Sequence, residues 1–383
     1  MNTYDYIIIG AGAAGLQLAE ALGKDPFFKQ KSILLLDKDA KQTNDRTWCF
    51  WEKGQGDFDE ILFKEWKSIF FAGKKLNEEY HIAPYTYKMI KGVDFYARYL
   101  KKISGYKNLN FLQEEVISVE EKEHFQVVKT TNNTYSASKV FNSIYDFKEP
   151  LKQQKYPVLQ QHFIGWFVKT DKSVFNENTA TFMDFSIPQK GNTRFMYVLP
   201  FSSTEGLVEY TLFSKSLLEK REYEEAIKTY LSDNLGVENY QITETEKGSI
   251  PMTSYNFAQK NTDNMLYIGT AGGWSKASTG YTFMNTTKKV KKLVLHLKAN
   301  EPLNKFYKKD KFWFYDLLLL DVISKNNAKG GSIFESLFKK RKPQLIFKFL
   351  DEETSYFEDF KFISTPSPLP FIKALLGRIW NGF

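Results

Sequence analysis

The chain has 383 residues, 42% of them hydrophobic and 16% aromatic, which is enough for a large core and predicts two closely joined domains. The formal charge of +8 permits binding to nucleic acid or to anionic lipid, and no nucleic-acid-binding signature favours the first. Cys49 is the only cysteine, which excludes an intrachain disulfide and a thiolate metal site and favours a reducing cytosol.

The distribution of residues argues against three further kinds of protein: one that spans a membrane, one that binds a metal ion and a serine hydrolase. No stretch reaches the ~18 apolar residues of a membrane-spanning helix, because Asp316 and Asp321 interrupt even the run FWFYDLLLLDVI. The four histidines are scattered without ligand spacing, so we predict no metal site. The nucleophile motif G-x-S-x-G does not occur, which argues against a serine hydrolase.

The first elements follow a pattern typical of a βαβ unit. The apolar run YIIIG, the turn AGAAG, the amphipathic segment LQLAEALGK and the apolar run SILLLD follow one another between Asp5 and Asp37. Asp5 and the lack of a basic stretch before the first run indicate a strand rather than a signal peptide.

The turn after the first strand carries G-x-G-x-x-G, formed by Gly10, Gly12 and Gly15. In this motif the first glycine allows the turn, the second lets the backbone approach a pyrophosphate, and the third lets helix and strand pack closely. Asp37 ends the next strand, where an acid accepts a hydrogen bond from a ribose hydroxyl. The unit therefore predicts a dinucleotide site without distinguishing NAD from FAD.

The middle of the chain is rich in β-forming residues. Four runs between Gln161 and Ser214 predict an antiparallel meander: QHFIGWFVKT, TATFMDFSIP, TRFMYVLPFS and GLVEYTLFS. The alternation in the last run places Glu209 on the same face as Leu207, Thr211 and Phe213, among apolar neighbours. Burial would raise the pKa of Glu209 and let it act as a general acid at neutral pH, whereas on an edge strand it would simply face solvent. A helix follows and ends before Gly236.

A second glycine cluster lies in YIGTAGGWSKASTGYTF, from Tyr267 to Phe283. Because extended FAD needs a second contact strip, this cluster favours FAD, although an ordinary strand-to-helix loop would have the same composition. Beyond Asn300 the pattern is mostly helical, and STPSPLP indicates a stiff turn before a short terminal helix.

Several blocks, taken in order, resemble the lycopene cyclases of the flavoprotein type. They are the N-terminal βαβ unit, NDRTWCFWE, FMDF, RFMYVLPFS, LVEYT, GSIPM and GTAGGWSKASTGY, and they run in the family's order from residue 5 to about residue 285. The resemblance implies an α/β (α+β) fold like that of aromatic hydroxylases and geranylgeranyl reductases. A Rossmann-like FAD-binding domain then carries an inserted antiparallel β-sheet substrate domain.

The resemblance also implies how the chain is divided. We expect a discontinuous FAD-binding domain over 1–70, 100–150 and 262–300, a substrate domain over 71–99 and 151–261, and a C-terminal helical region over 301–383. The implied activity is that of an intramolecular lyase or isomerase, which folds the acyclic ends of lycopene into β-ionone rings through γ-carotene to give β-carotene. The family uses reduced FAD, with NAD(P)H as the electron donor, although the overall conversion is not a redox reaction.

The resemblance assigns roles to individual residues. Glu209 matches the acid regarded as essential in the family, Asp45 and Arg46 match its acid-arginine pair, and Asp184 matches the acid of the Met-Asp-Phe block. In the second glycine cluster it implies flavin contacts by Gly269, Thr270, Gly272 and Gly280. An alternative makes the reduced flavin the proton donor and leaves Glu209 as cation stabiliser or base. Arg46 would contact the FAD phosphates or form an ion pair with Asp45.

Two positions depart from the family pattern. Tyr210 replaces the second acid beside Glu209, and Lys276-Ala277 replaces a frequent His-Pro, which puts the flavin contacts of that loop in doubt. Aromatic rings that could stabilise a cation are Trp48, Trp51, Phe182 and Tyr197.

The partners follow from the implied substrate, which dissolves in membranes. We expect peripheral association with the cytoplasmic face of the cell membrane and contacts with other carotenoid-pathway enzymes. Basic and aromatic segments suited to anionic lipid are TTKKVKKLVLHLK, YKKDKFWFY and FKKRKPQ, although ordinary surface helices share this pattern. Two other functions stay open: an FAD-dependent monooxygenase or polyprenyl reductase on the same scaffold, and a non-catalytic carotenoid- or flavin-binding protein.

Overall fold

A computed structural model describes residues 2–381, which form seventeen β-strands and nine α-helices. The strands are β1 (Asn2–Ile9), β2 (Ile33–Asp37), β3 (Thr47–Lys53), β4 (Lys64–Trp66), β5 (Ser68–Ala72), β6 (Asn77–His81), β7 (Tyr85–Lys91), β8 (Leu109–Gln113), β9 (Val116–Glu121), β10 (Gln126–Thr130), β11 (Thr134–Asn142), β12 (Leu159–Thr170), β13 (Thr179–Asp184), β14 (Thr193–Pro200), β15 (Glu205–Ser214), β16 (Tyr240–Met252) and β17 (Met265–Tyr267). The helices are α1 (Ala13–Lys24), α2 (Gly92–Ile103), α3 (Lys220–Asp233), α4 (Phe283–Lys298), α5 (Lys311–Lys325), α6 (Gly330–Lys340), α7 (Pro343–Leu350), α8 (Tyr356–Ile363) and α9 (Pro368–Asn381).

The first sheet contains the predicted βαβ unit. Its order is β8-β2-β1-β11-β10-β9, and β17 also pairs with β11. Strands β8, β2, β1, β11 and β17 run parallel, and the continuous apolar sequence of β1 and β2 fits strands that are buried on both faces. Helices α1, α2 and α4 pack together against this sheet.

The second sheet has the order β16-β12-β15-β14-β13-β5-β6. Strands β13, β14 and β15 form the predicted antiparallel meander. The prediction for β12 was wrong, because β12 lies between β15 and β16 instead of beside β13. As the first strand of a meander β12 would lie at an edge, whereas its backbone pairs with β15 on one side and with β16 on the other.

Both faces of the second sheet are covered. Helix α3 packs on one face, and helices α5, α6 and α7 pack on the other. The C-terminal region is helical, as predicted, and α9 begins at Pro368, within the proline-rich segment. Arg378 of α9 donates to both carboxylate oxygens of Asp321 in α5, at 2.7 and 2.6 Å, which fixes α9 to the core.

The domain boundaries stay a prediction. Strand β5 begins at Ser68 and belongs to the second sheet, and α2 lies against α1 beside the first sheet. Both elements therefore cross the boundaries that the resemblance implies. Residues 1, 382 and 383 of the predicted domains lie outside the described residues.

Candidate active site

A cavity of about 570 Å³ lies between the glycine-rich turn after β1, strand β3 and the second sheet. This volume is typical of small-molecule sites. The cavity brings together most of the predicted site residues, which come from four separate parts of the chain: Gly10, Gly12, Asp37, Asp45, Arg46, Glu209, Gly269, Thr270 and Gly280.

The three glycines of the first motif have different surroundings. Gly10 has φ +94°, and a Cβ there would lie 2.0 Å from the Ser143 Oγ. At Gly12 a Cβ would meet no atom within 4 Å and would enter the open cavity. Gly15 does not line the cavity, because it packs so closely that a Cβ would lie 1.8 Å from the Gly10 carbonyl oxygen. These surroundings fit a turn, a backbone approach to a ligand, and a helix–strand contact.

Asp37 ends β2 and is joined to the glycine-rich turn. Its Oδ2 accepts the Ala11 N–H at 2.6 Å, and Lys41 Nζ lies 3.5 Å from the same oxygen. The carboxylate thus lies in the cavity wall next to the first turn of α1.

Asp45 and Arg46 form an ion pair in the same wall. Arg46 donates through Nε and Nη2 to the Asp45 Oδ2 at 3.1 and 2.8 Å, and the Tyr96 hydroxyl donates to Oδ1 at 2.7 Å. Burial works to raise the pKa of Asp45, but the hydrogen bonds from Arg46 and Tyr96 outweigh it and lower the pKa. The Arg46 side chain is half exposed, so its charge is available to an anion in the cavity.

The second glycine cluster lies opposite. Gly269 has φ +59°, and a Cβ there would lie 3.1 Å from the Cβ of Ala14 in α1, so the two glycine-rich turns are adjacent. Thr270 and Gly280 also line the cavity. Gly272 does not, because its position is fixed by packing: a Cβ would lie 2.1 Å from the Tyr267 carbonyl oxygen.

The opposite end of the cavity is built on a cross-strand row of the second sheet. Tyr197 of β14, Glu209 of β15, Gly165 of β12 and Glu246 of β16 lie side by side in register. Glu209 is only 8% exposed, and both glutamates line the cavity. Because Gly165 between them has no side chain, the two glutamates approach each other across it: a Cβ there would lie 3.4 Å from the Glu209 Cβ and 3.2 Å from the Glu246 Cγ, with the Leu207 Cδ1 at 2.8 Å.

Each carboxyl group has one hydroxyl donor. The Thr211 hydroxyl donates to the Glu209 Oε1 at 2.5 Å, and the Thr47 hydroxyl donates to the Glu246 Oε2 at 2.7 Å. Burial raises the pKa of Glu209 well above its ordinary value, and the charge of Glu246 raises it further. Burial also raises the pKa of Glu246. This end of the cavity therefore presents a carboxyl group suited to proton donation.

The wall around the glutamates is apolar and aromatic. This wall is formed by Leu207, Cys49, Tyr87, Tyr197 and Tyr281. The hydroxyl oxygens of Tyr197 and Tyr281 lie 3.3 Å apart. Of the four aromatic rings predicted to stabilise a cation, Trp48 and Tyr197 line the cavity. Trp51 and Phe182 lie behind the wall in the hydrophobic core.

Asp184 lies apart from the other predicted catalytic residues. Asp184 is buried on the α3 side of the second sheet, where its carboxylate accepts from the Tyr230 hydroxyl at 2.8 Å and from the Ser186 hydroxyl at 2.6 Å. It does not line the cavity. A carboxylate in these contacts joins α3 to the sheet, and a catalytic role for Asp184 stays a prediction.

The two departures from the family pattern have structural explanations. Tyr210 faces α3, because strand alternation turns it away from Glu209, and Arg194 donates to its hydroxyl at 2.9 Å. A second acid at this position would therefore lie outside the cavity. Lys276 is fully buried and contacts Asp316 at 3.1 Å and Glu352 at 3.3 Å, so it joins the second glycine cluster to the C-terminal helices.

Sequence reasoning missed Glu246, Thr47 and Gly165. Glu246 alternates with Glu244 in the run ETEKG, which resembles the exposed face of a polar strand. The one signal was its position two residues before the GSIPM block. In residues 2–381 no group of three or more His, Cys, Asp or Glu side chains is arranged to hold a metal ion.

The fold is that of FAD-dependent oxidoreductases such as geranylgeranyl reductases and aromatic hydroxylases, as the resemblance predicted. A geranylgeranyl bacteriochlorophyll reductase-like protein from Thermoplasma acidophilum matches with TM-score 0.63 and 11% identity, covering 97% of this chain and 98% of that chain. The p-nitrophenol 4-monooxygenase PnpA from Pseudomonas putida matches with TM-score 0.57 and 12% identity, covering 94% and 96%. A variant of the halogenase PltM in complex with FAD matches with TM-score 0.60 and 11% identity, covering 92% and 82%.

The family is identified by sequence. Residues 5–376 match the family model for lycopene cyclase proteins, which is nearly the whole chain. The chain belongs to the lycopene cyclase family.

Proposed function

We propose that the protein is a lycopene β-cyclase, which converts lycopene through γ-carotene to β-carotene. The observation that carries this proposal is the buried Glu209, which has a raised pKa and lies in an apolar, aromatic wall of the cavity that also reaches the dinucleotide motif. A hydrocarbon substrate offers no polar handle, so a dry cavity with one proton donor is the chemistry it requires.

The reaction begins with proton transfer from Glu209 to the terminal double bond of lycopene, which leaves a tertiary carbocation. The neighbouring double bond attacks this cation and closes the ring, and the cation moves to the ring carbon. A carboxylate then removes the adjacent ring proton to give the β-ionone ring. One proton enters and one leaves, so no atoms or electrons are gained or lost. The faces of Trp48 and Tyr197 stabilise the cation by about 0.5 to 2 kcal/mol each.

We propose FAD as the cofactor, with NAD(P)H as its reductant. The open space at Gly12, the exposed guanidinium of Arg46 and the carboxylate of Asp37 suit a pyrophosphate and a ribose, and Gly269, Thr270 and Gly280 form the facing wall. Reduced FAD, when bound, would supply negative charge near the forming cation.

Replacing Gly12 by valine tests this site. Because a Cβ there meets no atom within 4 Å and the backbone has an ordinary φ of −82°, Gly12→Val should fold normally. The side chain would fill the space needed by the pyrophosphate, so we expect FAD affinity to fall more than about tenfold, which corresponds to about 1.4 kcal/mol. FAD binding is measured by fluorescence titration. An unchanged affinity with unchanged thermal unfolding would contradict the placement.

We propose that the membrane is contacted by α8 and α9. Helix α8 exposes three aromatic rings, those of Tyr356, Phe357 and Phe360. The following helix α9 carries an exposed apolar face, which consists of Leu369, Ile372, Leu376, Ile379 and Trp380. Both acidic residues of α8 are paired with lysines of other helices, whereas Lys361 and Lys373 are exposed and form no ion pair within the described residues. Apolar and basic side chains together suit an anionic bilayer surface.

The predicted membrane segment TTKKVKKLVLHLK is less suitable. Its apolar residues Val290, Leu293 and Leu297 are buried in the core against α1, so they cannot enter a bilayer. Between residues 2 and 381, none of the helices has the length and apolar character needed to cross a membrane.

The double variant Phe360→Asp/Trp380→Asp tests the contact. Trp380 is 90% exposed and Phe360 71%, so folding should be unaffected. Because burying one such ring contributes about 1.5 to 3 kcal/mol, we expect binding to vesicles containing phosphatidylglycerol to weaken at least about tenfold. Phe147→Asp, which changes a ring exposed to 64% elsewhere on the surface, is the control. Equal binding by the two variants would contradict this assignment.

Expression in a lycopene-accumulating bacterium tests the proposed function. We expect lycopene to be replaced by β-carotene, which is identified by chromatography. Persistent lycopene in cells that contain the folded, flavin-loaded protein would contradict the proposal.

A further inference from the structure

The two glutamates of the cavity are held close together by the sheet. Glu209 and Glu246 lie on either side of Gly165, and a Cβ at Gly165 would lie 3.4 Å from the Cβ of Glu209 and 3.2 Å from the Cγ of Glu246. Each carboxyl group has a single hydroxyl donor, from Thr211 or Thr47, and no basic side chain forms an ion pair or a hydrogen bond with either of them within the described residues. Glu209 is buried and Glu246 is half-buried, and two adjacent carboxylates in such a position without a cation strongly disfavour a double negative charge.

We propose that Glu209 and Glu246 hold one proton between them, with Glu209 as the proton donor and Glu246 as the positioning residue that retains the proton on Glu209. The carboxylate of Glu246 accepts a hydrogen bond from protonated Glu209, and this keeps the acid neutral and oriented in the cavity.

The pair also explains how the acid is restored, an argument that rests on the proposed function. When Glu209 protonates the substrate, its O–H bond breaks and both glutamates become carboxylates facing the carbocation. The opposite charges attract, which stabilises the cation. When the ring proton leaves, its C–H electrons form the ring double bond and the proton returns to the pair. The cycle ends with one shared proton, as it began, and needs no other acid or base.

The other titratable groups around the pair do not replace Glu246. Four of these groups stay neutral, because burial raises their pKa values. They are the thiol of Cys49 in β3 and the phenols of Tyr87 in β7, Tyr197 in β14 and Tyr281. Glu244 lies on the same strand as Glu246 and accepts from Asn44 at 2.6 Å, outside the cavity wall. It raises the pKa of Glu246 only through its charge.

The first test compares Glu246→Gln with the matched control Glu244→Gln. Without the charge of Glu246, Glu209 loses its proton at lower pH. The rate of cyclisation by the variant relative to wild type should therefore fall on the order of tenfold between pH 6 and pH 8, whereas Glu244→Gln keeps a nearly constant ratio. A merely structural role would lower the rate equally at every pH. A constant ratio for Glu246→Gln would overturn the proposal.

The second test needs no substrate. Burial raises the pKa values of both glutamates above the ordinary 4.5, and the charge of Glu246 raises that of Glu209 further, so the folded protein binds more protons than the unfolded chain above about pH 4.5. Its contribution to stability is therefore present at low pH and lost as pH rises through the folded-state values. Urea unfolding should show a smaller loss of stability from pH 5 to 8 in Glu246→Gln than in wild type or Glu244→Gln.

The two tests distinguish a failure of the shared-proton proposal from a failure of the proposed function. A reduced pH dependence of unfolding in a protein that does not cyclise lycopene would support the pair and contradict the cyclase. If the protein cyclises lycopene but wild type, Glu246→Gln and Glu244→Gln show the same pH dependence of unfolding, the shared proton is contradicted. Gly165→Ala is a second variant, since its methyl group would lie 3.2 Å from the Glu246 Cγ, 3.4 Å from the Glu209 Cβ and 2.8 Å from the Leu207 Cδ1, so that the two glutamate side chains must move relative to each other. It should shift the pH dependence of unfolding in the same direction as Glu246→Gln, and an unshifted dependence would count against the pair.

Discussion

Glu209→Gln is expected to abolish cyclisation, with a loss on the order of 10² to 10⁴-fold in turnover, the usual contribution of a general acid. Glutamine has the same shape and still accepts from the Thr211 hydroxyl, but it carries no transferable proton. FAD binding should be unchanged, because Glu209 lies at the opposite end of the cavity from Gly10 and Gly12. Turnover is measured with purified protein from the disappearance of lycopene and the appearance of cyclic product.

The matched control is Glu205→Gln on the same strand. Glu205 lies near the surface and pairs with Lys169 at 3.0 Å, so its replacement should leave turnover close to that of wild type. A Glu209→Gln protein with nearly full turnover would contradict the assignment and favour the alternative in which the reduced flavin donates the proton.

Lys276→Met is expected to cause the largest loss of stability, about 3 to 5 kcal/mol, because it leaves Asp316 buried without its cation. The Lys276 side chain is fully buried and that of Asp316 is 6% exposed, and Ser278 donates to the same carboxylate at 2.7 Å. Burial already raises the pKa of Asp316, against the charge of Lys276, so in the variant this group should become protonated at neutral pH. The free energy of unfolding in urea measures the loss.

The control for this effect is Lys291→Met. Lys291 pairs with Asp57 at 3.4 Å, and both side chains are about 70% exposed, so we expect a change below about 1 kcal/mol. The double variant Lys276→Met/Asp316→Leu removes both charges and should recover much of the lost stability. If Lys276→Met and Lys291→Met are equally stable, Lys276 does not hold the glycine cluster to α5.

The elements set by local sequence were predictable. The βαβ unit was predicted because its apolar runs, its glycines and Asp37 lie within one short segment, and the alternation in β15 correctly placed Glu209 on the same face as Leu207. The C-terminal helices were predicted for the same reason. The order of the family blocks predicted the family, which the sequence match confirms, and the fold, which the similar solved structures confirm.

Features that depend on non-local pairing were not predictable. The position of β12 is set by partners from distant parts of the chain, and Glu246 meets Glu209 only because both strands pair with β12 across Gly165. The sequence left Glu209 without a neighbouring acid, since Tyr210 occupies the expected position. The structure provides the second acid from another strand. The position of Asp184 on the α3 side of the sheet was not predictable either, because a motif match does not tell which face of the sheet its acid occupies.

The most direct measurement is a reaction with purified protein, lycopene in vesicles, and FAD that is chemically reduced without oxygen. We predict β-carotene as the product, formed through γ-carotene, over many turnovers without net oxidation of the flavin. Product formed only in proportion to NAD(P)H consumed would instead indicate a monooxygenase or polyprenyl reductase. Lycopene that binds and stays unchanged would indicate a carotenoid-binding protein, and either result would contradict a cyclase built on Glu209.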